Sequence, residues 1–183
     1  MVLEKPFKAD IILDRDGVIN LDSDAYVKSV DEWIAIESSI EAIAMLHKAG
    51  HRIFIATNQS GIGRGYFCTD TLEAMHQKML RLIQQAGGKI TGIAFCPHIP
   101  EDQCTCRKPN AGLLKDLAQK FDINLNTAIV IGDSLRDLQA AIEVGSNPIL
   151  VLTGKGKKTL QSHPRLPYPT YNNLYDASQK ILA

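Results

Sequence analysis

The segment ADIILDRDGVIN, Ala9 to Asn20, joins an apolar run to two aspartates and a glycine. Residues 9–14 carry the pattern of a strand buried on both faces, as in parallel sheets. Where the run ends, Asp14 and Asp16 precede the Gly17 turn. Side chains at i and i+2 leave a strand on the same side, so both carboxylates can address one point. A turn alone also accounts for Asp-x-Asp-Gly, because Asp and Gly favour turns. A third carboxylate, Asp133 after Gly132 at the end of a later strand pattern, favours a shared site.

Outward from this segment, short β-rich runs alternate with helical periodicity. Strands are expected at residues 51–58 (HRIFIATN), 91–96 (TGIAFC), 127–133 (TAIVIGD) and 147–153. Helices are expected over 38–49, stopped by Gly50, and from a Thr69 cap to Gly87-Gly88. Further helices run from an Asn110 cap through Phe121, through Leu138 to Val144, and near 173–182. The stretch TGKGKK, Thr153 to Lys158, reads as a solvated basic loop, although a gate over a second phosphate is the other reading.

This alternation implies an α/β fold, a parallel sheet covered on both faces. Ligands bind such sheets beyond the carboxyl ends of the strands. Asp14, Thr57 and Asp133 each close a strand and are expected to converge there. The oxygen-rich positions Asp14, Asp16 and Asp133 suit Mg²⁺, which takes a few protein oxygens and keeps waters and phosphate oxygens. Close carboxylates repel one another, and a divalent cation relieves this.

The 183 residues show no repeat or linker, so a single domain over 1–183 is expected. With 45% apolar and 22% charged residues the composition is that of a soluble globular protein. The 20 basic and 20 acidic residues cancel, which removes the electrostatic reason to expect nucleic acid or an anionic membrane as partner. Apolar runs are too short to span a bilayer. The first residues lack a secretory pattern, so a cytoplasmic protein with reduced thiols is expected.

A second cluster lies in FCPHIPEDQCTCRKPN, Phe95 to Asn110. Cys96-x-His98-x5-Cys104-x-Cys106 supplies the four donors of a closed, structural Cys3His zinc site. Buried free thiols beside an incidental histidine, or a disulfide, would also explain the residues; the second is disfavoured in a reducing compartment. A metal-tied loop would present Arg107 and Lys108 from a rigid base.

The motifs DRDGVIN, ATNQ, CRKP and IGDSLRD, in this order along the chain, resemble the four motifs of the haloacid dehalogenase-like phosphatases. The resemblance implies a Rossmann-like three-layer fold with a minimal cap and a zinc-bound loop. It implies that Asp14 is the nucleophile and that Asp16 is the general acid, then the base. It implies that Thr57 and Lys108 hold the transferring phosphoryl group. Mg²⁺ would lie between Asp14, Asp133 and the Asp16 carbonyl. Phosphoryl transfer needs this set, because it consists of positioning and charge neutralisation.

Cys-Pro-His…Cys-x-Cys-Arg-Lys-Pro is similar to two branches of that family, the heptose bisphosphate 7-phosphatases and the histidinol-phosphate phosphatases. NQSGIGRGYF, Asn58 to Phe67, resembles the heptose branch, whereas the histidinol-phosphate branch tends to carry Asn-Gln-Asp-Gly. INLDSDAYV, Ile19 to Val27, also looks like the heptose branch. Substrate contacts are therefore expected from Asp22, Tyr26, Asn58, Gln59, Ser60, Arg64 and Arg107, with the two arginines offering forks to a second phosphate or to hydroxyls. The expected protein is a monomeric, Mg²⁺-dependent enzyme that removes the C7 phosphate from a heptose bisphosphate. Histidinol phosphate is the alternative substrate.

Overall fold

The computed structural model describes residues 8–183 and contains one six-stranded sheet. Its strands are β1 (Ile11–Leu13), β2 (Ile53–Asn58), β3 (Gly92–Cys96), β4 (Ile129–Gly132), β5 (Asn147–Val151) and β6 (Thr170–Tyr171). They lie in the order β3-β2-β1-β4-β5-β6, every pair parallel, with Ile11 facing Ile53 on one side and Ile129 on the other. The helices are α1 (Glu37–Lys48), α2 (Ser60–Gly63), α3 (Thr69–Gln85), α4 (Gly112–Phe121), α5 (Leu135–Glu143), α6 (Gly156–Ser162) and α7 (Leu174–Leu182).

Period-two alternation divides the core into two layers. Ile11, Leu13, Ile53 and Ile55 join Ile43 and Leu46 of α1, Leu72, Met75 and Met79 of α3, and Leu174 of α7. Ile12, Phe54 and Ala56 join Leu113, Leu114 and Leu117 of α4 with Ala140 and Ala141 of α5. All three β1 side chains are fully buried. Burying each stabilises by about 1.5–3 kcal/mol, against about 1 kcal/mol for a ladder hydrogen bond. So short a strand is therefore fixed mainly by its side chains. The α/β sheet with helices on both faces is the expected fold, and residues 14–36, between β1 and α1, form no separate cap layer.

Several local expectations differ. Thr69 is the first residue of α3 and not its cap; Cys68 holds that position, its Sγ 3.4 Å from the Thr71 hydroxyl. Asn110 does not cap α4 either, because its amide donates to the Cys104 carbonyl at 2.9 Å, and Ala111 takes the cap position. The basic TGKGKK stretch leads into α6. A Cβ at Gly156 would overlap the Val151 carbonyl, so glycine here serves a close approach and not flexibility. The short α2 and β6 were not anticipated. The expectation that the chain starts without a secretory segment falls on residues 1–7, outside the described residues. Among the described residues no helix is long and apolar enough to cross a membrane.

Candidate active site

The carboxyl ends of β1, β2 and β4 and the loop after β3 surround a cavity of about 210 Å³. Asp14 follows the last residue of β1, and Asp133 the last residue of β4. Parallel register alone sets them side by side, because Leu13 pairs with Ile131. Asp137, in the first turn of α5, completes the group: carboxylate oxygens of Asp14, Asp133 and Asp137 all lie within 4.8 Å of one another. Glycine makes this possible. Gly17 and Gly154 have φ of +82° and +53°, and a Cβ on either would run into the Asp133 carboxylate.

Lys108 reaches the same point from the loop beyond β3. Its Nζ donates to Asp137 Oδ1 at 2.6 Å and to the Ala56 carbonyl at 2.7 Å, and lies 3.0 Å from Asp14 Oδ1. Asn58 holds the lysine backbone from both sides, donating to its carbonyl at 3.0 Å and accepting its N–H at 3.1 Å. Asp137 is fixed by a capping box, accepting Ser134 N–H and Oγ–H at 3.0 and 2.6 Å.

Three carboxylates face one lysine. Burial pushes Asp14 up to about 7, against the pull of Lys108. Burial, then the charges of Asp14 and Asp137, push Asp133 up to about 8. Oxygen donors with uncompensated negative charge fit a hard divalent cation such as Mg²⁺. Because the folded pKa values lie above the ordinary 3.8, the metal-free fold holds protons that the unfolded chain has lost, and its stability falls as pH rises from about 4 to 8. Mg²⁺ needs both groups ionised. Its binding is therefore expected to release protons at pH 7 and to tighten from pH 6 to pH 8. Titration calorimetry in buffers of different ionisation enthalpy measures this; binding without proton release would mean these carboxylates are not its ligands.

Asp16 lines the cavity, but its carboxylate stands outside the group of three. Arg15 takes it in a fork, with Nη2 at 2.8 and 3.1 Å and Nε at 3.2 Å, while Asn20 and Gln59 donate at 2.9 and 2.8 Å. Burial works against the Asp16 anion, yet Arg15 and these donors hold its carboxyl below the usual range. Arg15 is itself fully buried. Its Nη1 lies 3.5 Å from His76 Nε2, and burial together with Arg15 keeps that imidazole neutral, at about 4.

Of the other expected site residues, Asp22, Tyr26, Asn58, Gln59, Ser60 and Arg107 line the cavity. Thr57 is buried behind them, its hydroxyl accepting from Gln59 Nε2 at 2.9 Å. Arg64 is exposed and outside the lining, because α2 starts directly after Gln59 and carries the chain away. Sequence reasoning missed Ser134, Arg136, Asp137 and Lys155, which also line it. The solvated-loop reading fails for Lys155, whose Nζ pairs with Asp22 at 2.9 Å and whose N–H donates to Asp133 at 2.7 Å.

Beside the cavity, Cys96, His98, Cys104 and Cys106 bring their ligand atoms within 4.8 Å of one another. The sulfur atoms are 3.1, 3.5 and 3.6 Å apart, and His98 Nδ1 lies 3.4 and 3.6 Å from Cys106 and Cys96. A disulfide would need about 2.05 Å. A tetrahedral ion with metal–sulfur bonds of about 2.3 Å spaces its sulfurs roughly 3.8 Å apart. The donor set and spacing fit such an ion, with a slight contraction. Burial pushes the Cys96 thiol up to about 12. Burial opposes the Cys104 thiolate too, but the Arg107 N–H and the neighbouring thiols bring it down to about 7. Arg107 and Lys108 follow the last ligand directly, and Arg107 Nη1 donates back to the His98 carbonyl at 3.3 Å.

Comparison with known proteins bears on what this arrangement does. A family model, Hydrolase_like (HAD-hydrolase-like), matches residues 105–177. The chain is 55% identical over 175 residues to a D-glycero-beta-D-manno-heptose-1,7-bisphosphate 7-phosphatase of Neisseria meningitidis, covering 94% of each. It superposes with a TM-score of 0.92 on the crystal structure of the D,D-heptose 1,7-bisphosphate phosphatase of B. bronchiseptica complexed with magnesium and phosphate. That match has 49% identity and covers 95% of this chain and 98% of that one. The corresponding Burkholderia thailandensis structure gives 0.76 at 44% identity, over 96% and 99% of the two chains.

Proposed function

The chain belongs to the D-glycero-β-D-manno-heptose-1,7-bisphosphate 7-phosphatases, a haloacid dehalogenase-like family, and on that premise we propose how its residues remove the C7 phosphate of the heptose bisphosphate with Mg²⁺. The observation that carries the reading is Lys108, set between Asp14 and Asp137 at the base of the cavity. A nucleophilic carboxylate beside a fixed cation and two further carboxylates suits attack on a phosphate dianion.

Asp14 attacks the C7 phosphorus through a carboxylate oxygen and becomes an aspartyl-phosphate as the sugar oxygen departs. Lys108 neutralises charge gathering on the phosphoryl oxygens, and the buried Asn58 clamp holds it in place for this. Asp16, ionised in its Arg15 fork, takes a proton from solvent once the phosphate dianion raises its proton affinity and gives that proton to the departing sugar oxygen. It then takes a proton from the water that attacks the aspartyl-phosphate phosphorus, which releases phosphate and restores the Asp14 carboxylate. Thr57 acts through Gln59, whose amide joins its hydroxyl to Asp16. Mg²⁺ supplies Lewis-acid charge neutralisation when bound, and Asp14, Asp133 and the Asp16 carbonyl would hold it. Asp22, Tyr26, Ser60 and Arg107 form walls for the sugar, and Arg64 is left as a surface residue.

Zinc is the ion we assign to the Cys3His cluster, which would stiffen the Arg107–Lys108 base. Removing it is expected to lower turnover by on the order of 10²-fold with Mg²⁺ in excess, since small displacements of a positioning group cost that much. The check is turnover against zinc content by atomic absorption; normal kinetics in zinc-free protein would refute the assignment. The chain is read as one domain over 1–183, monomeric and cytoplasmic, and the continuous sheet supports the first of these. To test the function, phosphate release with Mg²⁺ is compared for heptose 1,7-bisphosphate and histidinol phosphate at equal concentration. The heptose is expected to dominate; preference for histidinol phosphate would favour the other branch.

A further inference from the structure

Four cationic side chains line the cavity, and their pairing is unequal. Lys108 is bound to Asp14 and Asp137, and Lys155 to Asp22. Among the described residues neither Arg107 nor Arg136 is paired with a carboxylate. Both nevertheless line the same cavity. Arg107 arrives from the loop beyond β3, and Arg136 from the start of α5. Arg136 is also poorly placed for its own helix. It lies in the first turn of α5, the end whose dipole favours anions and disfavours cations by about 0.3–1 kcal/mol. Two unpaired guanidiniums, one at an unfavourable helix position, call for an anion between them.

We propose that Arg136, acting with Arg107, binds the phosphate that the enzyme retains, and so determines selectivity for a bisphosphate over a monophosphate. This rests on the functional reading above. The transferred phosphate meets Lys108 at the strand ends. The second phosphate reaches the planar forks of Arg107 and Arg136, which match phosphate oxygens two at a time. Lys155 is unsuited to this role while Asp22 neutralises it. Arg136 is a specificity-determining residue here and takes no part in the bond changes.

The test compares wild-type, Arg136→Ala and Arg136→Lys, each with Mg²⁺, on heptose 1,7-bisphosphate and on heptose 7-phosphate. The ratio of kcat/KM for the bisphosphate to that for the monophosphate is expected to fall about 10- to 100-fold in Arg136→Ala. The change should lie in KM for the bisphosphate, with partial recovery in Arg136→Lys. An unchanged ratio, or equal losses on both substrates, overturns the proposal while leaving the function intact. If wild-type releases no phosphate from the bisphosphate, the functional reading falls and takes this inference with it.

Discussion

Asp14→Asn is expected to lower turnover by on the order of 10⁴-fold or more, the scale on which removal of an attacking side chain acts. The amide keeps the shape of the side chain but is no nucleophile. A merely structural aspartate would behave differently, because at this position the charge is a liability to the metal-free fold. Burial holds the Asp14 pKa at about 7, so at pH 8 its ionised form opposes folding, and the neutral amide relieves Asp133 and Asp137. The variant should thus lose activity and gain metal-free stability at pH 8, read by turnover and by urea denaturation. Activity within tenfold of wild-type would move the nucleophile elsewhere. Lower stability at pH 8 would mean that the Lys108 pairing outweighs burial.

Lys108→Ala acts on both quantities in the same direction. The Nζ has three partners, Asp14, Asp137 and the Ala56 carbonyl. It is almost fully buried, as is Asp137, while Asp14 is partly exposed. Truncation leaves buried carboxylates without a cation, which costs about 3–5 kcal/mol when one partner of such a pair is removed. Loss of a positioned donor at the transferring phosphate costs a further 10²- to 10³-fold in turnover, by order of magnitude. Denaturation with and without Mg²⁺ separates the two effects, because the metal should restore part of the stability and little of the rate. Unchanged metal-free stability would show that Lys108 does not hold the three acids together.

The sheet was legible because its strands carry unbroken apolar runs closed by polar residues. IIL and IFIA are buried as their pattern requires. Asp14 and Asp133 were found by the same logic, since a strand end fixes a side chain through parallel register. Positions set by helices and loops were not. Asp137 sits one turn into α5, where an acidic residue reads as a helix-start preference. Arg136 next to it reads as solvated. The burial of Arg15 depends on His76 and Asp16 arriving from different segments, a contact without a local signature. Arg64 lies outside the cavity lining because a single turn of helix after Gln59 redirects the chain, which the local sequence does not signal. Lys155 was missed because Gly154 and Gly156 suggest a loose loop, although both glycines are there for tight backbone packing.

The most direct test follows both phosphates of heptose 1,7-bisphosphate by phosphorus NMR during turnover with Mg²⁺. The C7 ester signal should decay as free phosphate grows, with the C1 phosphate signal intact and the reaction absent in Asp14→Asn. Loss of the C1 phosphate, or release of both at similar rates, would contradict the reading of this cavity as a site that takes one phosphate and keeps the other.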